Sequence, residues 1–403
     1  MLLFLCASTW ADDFQSHAII QYHRLAPFTL SDVQSNEQEQ WLSGSISFQY
    51  RHQQNQSINW DFGVEVTNHL LQGDAYSVEG EFLQPIHRSE FQIWPNKVRV
   101  SYERPHLRLS LGTQQFNWGL GLFYSDRSLP SWFGNSTWND TYAGFGVAYS
   151  PLPIASKKVQ ITLFSTAYWI LRNEFLSIYQ REGGATLLNG VLVSLPYGKA
   201  GLLFAPDWKE GEWGYPIDAY VQLKLMEKLF LEGEYLYRLS WIESNLRSSH
   251  GGALRLKAQN GSLGYGLELG RFHSNTNFRK HRNNPVGLLY LTQYVPRKIL
   301  HNNPSSTQQS SISNGHYAQG MLQFQSQKSA LRVGYVFAKE DAIEEEGHEL
   351  DMAALFLLTP QFRITAEGAL LLPLEAWYAG LRCEFQIQQR KKTNTKPPER
   401  PPW

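Results

Sequence analysis

The sequence predicts an all-β fold: a transmembrane antiparallel up-and-down β-barrel of about eighteen strands with no plug domain. Three observations carry that expectation. Apolar and polar residues alternate with a period of two in segment after segment. The segments run to about nine to twelve residues, longer than the strands of most soluble sheets and long enough for a tilted strand to cross a bilayer. The connections fall into tight turns and long loops that alternate along the chain.

Eighteen such segments can be placed, at 16–24, 41–52, 57–69, 92–103, 106–117, 141–150, 157–169, 187–195, 198–205, 214–226, 228–240, 251–259, 261–272, 315–325, 328–339, 348–358, 360–371 and 376–388. The alternation is weakest in the first, eighth and ninth. It is plain from Ile217, where Ile217, Ala219, Val221, Leu223 and Leu225 share one face and Asp218, Tyr220, Gln222 and Lys224 the other. Leu229, Leu231, Gly233, Tyr235, Tyr237 and Leu239 oppose Glu232, Glu234 and Arg238. Further on, Leu331, Val333, Tyr335 and Phe337 oppose Arg332, and Phe362, Ile364, Ala366 and Leu370 oppose Arg363, Thr365 and Glu367. In the last segment Leu381, Cys383, Phe385 and Ile387 oppose Arg382, Glu384 and Gln386. Successive side chains of a strand point to opposite faces, so each run is apolar on one side and wet on the other.

Glu103-Arg104-Pro105, Met226-Glu227-Lys228, Gln259-Asn260-Gly261, Ser326-Gln327-Lys328 and Thr359-Pro360-Gln361 read as tight turns. Residues 70–91, 119–140, 170–186, 241–250 and 273–314 read as long connections. An even strand count puts every tight turn, and both termini, at one end. This is the sorting expected of the bacterial outer membrane, with short periplasmic turns and long extracellular loops. A strand in lipid must pair all its backbone groups, which forces the sheet to close, and closure at this size usually leaves an aqueous lumen.

Composition agrees. The chain has 403 residues, 14% of them aromatic, including 13 Trp and 20 Tyr, at a mean hydropathy of -0.38. Two-sided strands average to such a value. Formal net charge is zero, which is no footprint of a nucleic-acid binder. No run approaches the roughly 18 apolar residues of a membrane helix. Residues 1–11, MLLFLCASTWA, read as the end of a secretory signal with cleavage after Ala11, although no basic segment precedes the apolar run. The barrel then spans 12–388, and 389–403 form a basic, proline-rich periplasmic tail that cannot be a strand. Removing the signal leaves Cys383 as the only cysteine.

The parity that turns the apolar face to lipid turns charge inward. Arg99, Arg108, Asp218, Lys224, Glu232, Glu234, Arg255, Lys257, Arg332, Arg363, Glu367, Arg382 and Glu384 are the pore-lining candidates. Asp61, Glu65, Lys97, Glu268 and Asp351 share that parity. Glu232 and Glu234 lie on a segment next to Arg255 and Lys257, as Arg363 and Glu367 lie next to Arg382 and Glu384. Such neighbours form cross-strand ion pairs that stiffen the wall, or acidic and basic stripes that orient a polar or charged solute. The loop from His273 to Asn314 is the candidate constriction, with Arg279, Lys280, Arg282, Arg297 and Lys298 on it. Its positive charge suits an anionic solute, an acidic sugar or polysaccharide, or the phosphates of lipopolysaccharide. Glu344-Glu345-Glu346 reads as a solvated acidic loop rather than a specific metal site. His273-Ser274 and Ser313–His316 are the only hydrolase-like pairs noted, and adjacency would send His273 and Ser274 to opposite faces of a strand. No zinc spacing, phosphate loop or cysteine nucleophile is present, so neither a catalytic residue nor a cofactor is expected.

Gly112, Gln114, Trp118, Gly119 and Gly121 spell G-x-Q-x-x-x-W-G-x-G, with Pro130 a little further on. This resembles the G-R-Q-x-x-x-W-G-x-G element of large bacterial porin-like outer-membrane barrels, including the alginate-export and capsule-assembly families. The resemblance covers about twenty residues plus the topology, and it implies a barrel of about eighteen strands. Thr113 stands where those families carry a basic residue. The stretch is expected to be a rim element. Gln114, Phe116, Trp118, Phe123 and Tyr124 are candidates for an interface girdle or for stacking on a sugar at the pore mouth. Phe385 resembles the terminal aromatic that the barrel-assembly machinery reads. The leading expectation is a porin-like channel for passive passage of a polar or anionic solute. The alternatives are a loop-occluded surface barrel that binds or assembles capsule-like polysaccharide and, more remotely, an outer-membrane lipid hydrolase.

Overall fold

The computed structural model describes residues 13–25, 29–30, 33–34, 39–53, 57–72, 75–79, 82–86, 89–114, 118–120, 141–150, 159–172, 185–209, 212–242, 245–273, 315–340, 346–372 and 376–390. Every regular element among them is a strand. The wall begins with β1 (Asp13–Leu25), β2 (Glu39–Gln53), β3 (Ile58–Gln72), β4 (Ser89–Arg104), β5 (Leu107–Gln114) and β6 (Thr141–Tyr149). It continues with β7 (Gln160–Arg172), β8 (Ala185–Leu195), β9 (Gly198–Phe204, resumed at Asp207–Lys209), β10 (Glu212–Met226), β11 (Leu229–Ile242) and β12 (Asn245–Asn260). β13 (Leu263–His273), β14 (Gly315–Gln325), β15 (Ser329–Glu340), β16 (Glu346–Thr359), β17 (Phe362–Leu372) and β18 (Ala376–Arg390) complete it.

The sheet has nineteen segments. The two pieces of β9 form one strand interrupted at Ala205-Pro206, so the barrel has eighteen. The break has a local cause. Proline has no N–H to give the ladder, yet its carbonyl still accepts from Leu187 N at 3.3 Å. Each strand pairs antiparallel with the next, and β18 pairs with β1 from Asp13↔Arg390 to Leu25↔Tyr378. That last ladder closes the cylinder. Two short hairpins, Thr29–Leu30 with Val33–Gln34 and Ala75–Glu79 with Phe82–Ile86, lie in the β1–β2 and β3–β4 connections.

The two faces differ as the alternation requires. Exposed apolar side chains, among them Ile20, Ile46, Leu111, Leu163, Leu254 and Leu350, sit on the outer face. Near the short turns this face carries Trp60, Tyr149, Tyr197, Tyr265 and Phe324, and towards the loop end Trp213 and Trp241. Aromatic rings at the ends of an apolar band suit a barrel seated in a bilayer, since those rings favour the headgroup level. The inner face buries carboxylates, Asp61, Asp218, Glu232, Glu234, Glu268, Glu349, Asp351 and Glu384 among them, alongside aliphatic side chains.

The tight turns stand where alternation ends. Gly261 takes the left-handed conformation (φ 60) that the turn between Asn260 and Leu263 demands of its first residue. The expected long connection over 241–250 is overturned. β11 runs to Ile242, β12 starts at Asn245, and these two residues are paired. Leu246 faces out and Ser249 faces in, so the alternation persists there on residues polar enough to read as a loop.

Candidate functional site

The lumen is shaped by a departure at β5. Up to Gly112 this strand pairs with β4, the last pair being Arg99↔Gly112. Gly112 then takes φ 107, a conformation open to glycine, and a Cβ there would overlap the Val98 carbonyl. The freed amide of Val98 donates instead to Thr113 Oγ1 at 3.1 Å. β5 keeps its other neighbour through Gln114↔Tyr142.

Four residues on, Trp118 is buried inside the barrel, 6% exposed, against the wall made by β7 to β10. Its ring lies 5.7 Å from Phe164 and 6.3 Å from Tyr220, centroid to centroid, and packs on Leu188 and Leu203. Gly201 makes room for it: a Cβ there would lie 2.5 Å from the indole Cη2. Gly119 (φ 55) lies so close to the Glu234 carboxylate that any side chain would collide with it, and Leu120 N donates to Glu234 Oε2. The expectation that Trp118 is a rim or girdle residue is therefore corrected. The segment 118–120 is a strap that starts from β5 and docks as far round as β11. An indole needs an apolar seat, and inward leucines on β8 and β9 supply one that the rim does not. Gln114 ends β5; Phe116, Phe123 and Tyr124 lie outside the described residues.

Beside the strap, β10 and β11 form an acidic wall. Asp218, Glu232 and Glu234 are 1%, 4% and 3% exposed, and Asp218 sits against Glu234 and Trp118. Buried carboxylates need partners. Glu232 Oε1 accepts from Gln222 Nε2 at 2.6 Å and Lys257 Nζ at 2.8 Å. Arg255 bridges Glu232 at 3.6 Å and Glu268 at 2.5 Å, and Tyr317 donates to Glu268 Oε1 at 2.5 Å.

On β17 round to β5 the balance inverts, for Arg51, Lys97, Arg99, Arg363 and Arg382 outnumber the buried carboxylates Asp61 and Glu384 that they share. Asp61 receives Arg51 Nε at 2.6 Å and Arg99 at 2.7 Å, with Lys97 Nζ 4.0 Å away. Glu384 is met by Arg363 Nε at 2.5 Å, Arg382 Nε at 2.7 Å and the His17 ring at 3.3 Å. Arg108 lies 3.3 Å from Glu103 at the short-turn rim. In a closed sheet of eighteen strands, β1 and β2 stand nine strands from β10 and β11. The basic and acidic walls therefore face each other.

Of the other expected lining residues, Arg332 on β15 donates to Gln323 Oε1 at 2.7 Å, Glu367 lies on β17 at the same level, with Ala353 of β16 between them, and Lys224 stands exposed near the short turn after β10. Arg279, Lys280, Arg282, Arg297 and Lys298 lie outside the described residues, as does Ser274. His17 and Arg51 were missed, although strict alternation with Ile20 and Tyr22, and with Ile46 and Phe48, marks them as inward. Among the described residues no group of His, Cys, Asp and Glu could hold a metal ion.

In sequence, no protein-family model and no curated protein matches the chain. In structure it is similar to OpdK of Pseudomonas aeruginosa, crystallised with vanillate, at TM-score 0.59 and 9% identity over 94% of this chain and 100% of that one. OccK9 (OpdG) of the same organism gives 0.59 at 10% identity over 94% and 99%. Acinetobacter baumannii OccAB4 gives 0.55 at 10% over 94% and 99%. Likeness at this identity shows the porin-like barrel fold.

Proposed function

We propose that the protein is a channel of the bacterial outer membrane, with periplasmic termini and extracellular long loops, that passes a small polar or anionic solute by diffusion. The observation that carries this reading is the pair of opposed walls, basic on β1–β5 and β17–β18, acidic on β10–β11. A transverse field across a narrowed lumen turns a dipolar or charged solute and favours the sign that the excess cations attract. The strap supports the reading by narrowing the lumen between those walls. The similar barrel that holds vanillate, a carboxylate, supports a small anion as the solute class. Arg279, Lys280, Arg282, Arg297 and Lys298 would add positive charge on the loop side, residues 1–11 would serve export, and, because β18 runs on to Arg390, the periplasmic tail expected over 389–403 would start at residue 391.

Planar-bilayer recordings in a potassium chloride gradient test it. Discrete openings with chloride favoured over potassium are expected, and Arg51→Glu with Arg99→Glu reverses the preference. A bilayer that stays electrically silent at every protein concentration would sink the channel reading.

A second reading draws on the same strap and on the resemblance of the G-x-Q-x-x-x-W-G-x-G element to alginate-export and capsule-assembly barrels. Here the strap occludes the lumen and the barrel holds a capsule-like polysaccharide. Silent bilayers together with retention on an acidic-glycan array would favour it.

A further inference from the structure

The outer surface of β12–β16 at the loop end differs from that of β10 and β11. On β10 and β11 that level carries Trp213 and Trp241. From β12 onward it carries imidazoles and cations instead. His250 stands opposite His273, their rings 5.3 Å apart. One row further in, Arg271 stands opposite His316, His316 opposite Lys339, and Lys339 opposite Glu346. His348 lies below this row, its Nδ1 2.6 Å from the Tyr335 hydroxyl.

These side chains point outward by the parity of their own strands. Leu254, Leu269, Tyr335 and Leu350 share their faces and are 57%, 51%, 45% and 49% exposed to the lipid side. A charged side chain on the lipid face is costly at the bilayer midplane and tolerated at the interface. The row therefore lies at headgroup level. Strands are about 4.8 Å apart, so Arg271 to Lys339 spans roughly 10 Å, wide enough to meet the phosphate of a lipid headgroup from several sides. The opposing charge is Glu346, whose Oε1 accepts from Lys339 Nζ at 2.9 Å. Lys339 and Glu346 offset each other, which leaves Arg271 and the four histidines to set the charge of the surface.

We propose that this face, centred on Arg271, His273 and His316, docks the phosphorylated headgroup of an outer-leaflet glycolipid. The proposal rests on the reading of the long-loop end as extracellular. The flanking groups are Tyr235 beside His250, Tyr335 beside His348, and the Lys339–Glu346 pair.

Native mass spectrometry of the full chain in a nonionic detergent, titrated with diphosphoryl lipid A, tests this. Inorganic phosphate in excess should compete weakly, and lipid A stripped of its phosphates should be retained poorly. Arg271→Ser should weaken retention about fivefold, with Arg271→Lys restoring it. Replacing His250, His273, His316 and His348 by Gln should weaken retention, while unboiled gel mobility reports an intact barrel. Equal retention of the phosphate-free lipid, or unchanged retention in the Arg271→Ser variant, overturns the proposal. Bilayer conductance is read on the same samples, so loss of lipid docking and failure of the channel reading are told apart.

Discussion

At the scale of single residues, Trp118 anchors the strap to the inner wall. It fills a seat made by Phe164, Leu188, Leu203 and Tyr220, and truncating so large a buried ring typically costs about 3–5 kcal/mol. Trp118→Ala is expected to release the strap from the wall. The measurement is single-channel conductance, which should rise, together with a lower melting temperature in detergent. Gly119→Val should act the same way for a different reason, since its side chain has no space beside Glu234; unaltered conductance in both variants would mean that the strap does not limit flow. Thr113 has a subtler part. Its hydroxyl takes the amide that β4 loses when β5 turns away, and an orphaned buried donor costs about 1–3 kcal/mol. Thr113→Val should lower stability by that order, and Thr113→Ser should restore it.

Among the elements, most of the wall was legible and the reason is physical. Lipid demands one uniformly apolar face and water the opposite, so β10, β11, β15, β17 and β18 declare themselves by alternation alone. β8 and β9 were faint because both of their faces are apolar where Leu188, Gly190, Gly201 and Leu203 receive Trp118 and Phe164. The lost alternation was itself the trace of the docking seat. The strap was not legible from the G-x-Q-x-x-x-W-G-x-G element, because the spacing gives the residues and not the direction in which Gly112 turns the chain. The ion pairs were legible as neighbours on adjacent strands, whereas the sharing of Asp61 by Arg51, Lys97 and Arg99 required the register. β5 supplies the test at this scale. Gly112→Val places a side chain on the Val98 carbonyl in a backbone conformation that valine rarely adopts, so folded barrel recovered from membranes should fall sharply, with Gly261→Ala, whose site is open, far milder.

For the molecule as a whole, closure and the opposed walls make two demands. A closed ladder resists unpairing, so unheated protein should run on a denaturing gel as a compact band that shifts on boiling; a single position before and after heating would contradict a closed barrel. The field across the lumen is screened by salt, and at 1 M the Debye length is about 3 Å, so ion preference should fade with concentration while the buried Arg255–Glu268 pair keeps the wall intact. The seam has a further consequence, in time rather than in space. The strap and all its partners belong to β5–β11, a contiguous stretch, whereas the seam joins His17 to Glu384, 367 positions away. Bringing distant segments together costs more chain entropy than neighbouring ones. Trp118 should therefore find its seat on a sheet that is still open, and its fluorescence should become native before the first and last strands meet. The strap then acts first as a brace that sets the curvature of the unfinished wall, and only afterwards as an obstacle in its lumen.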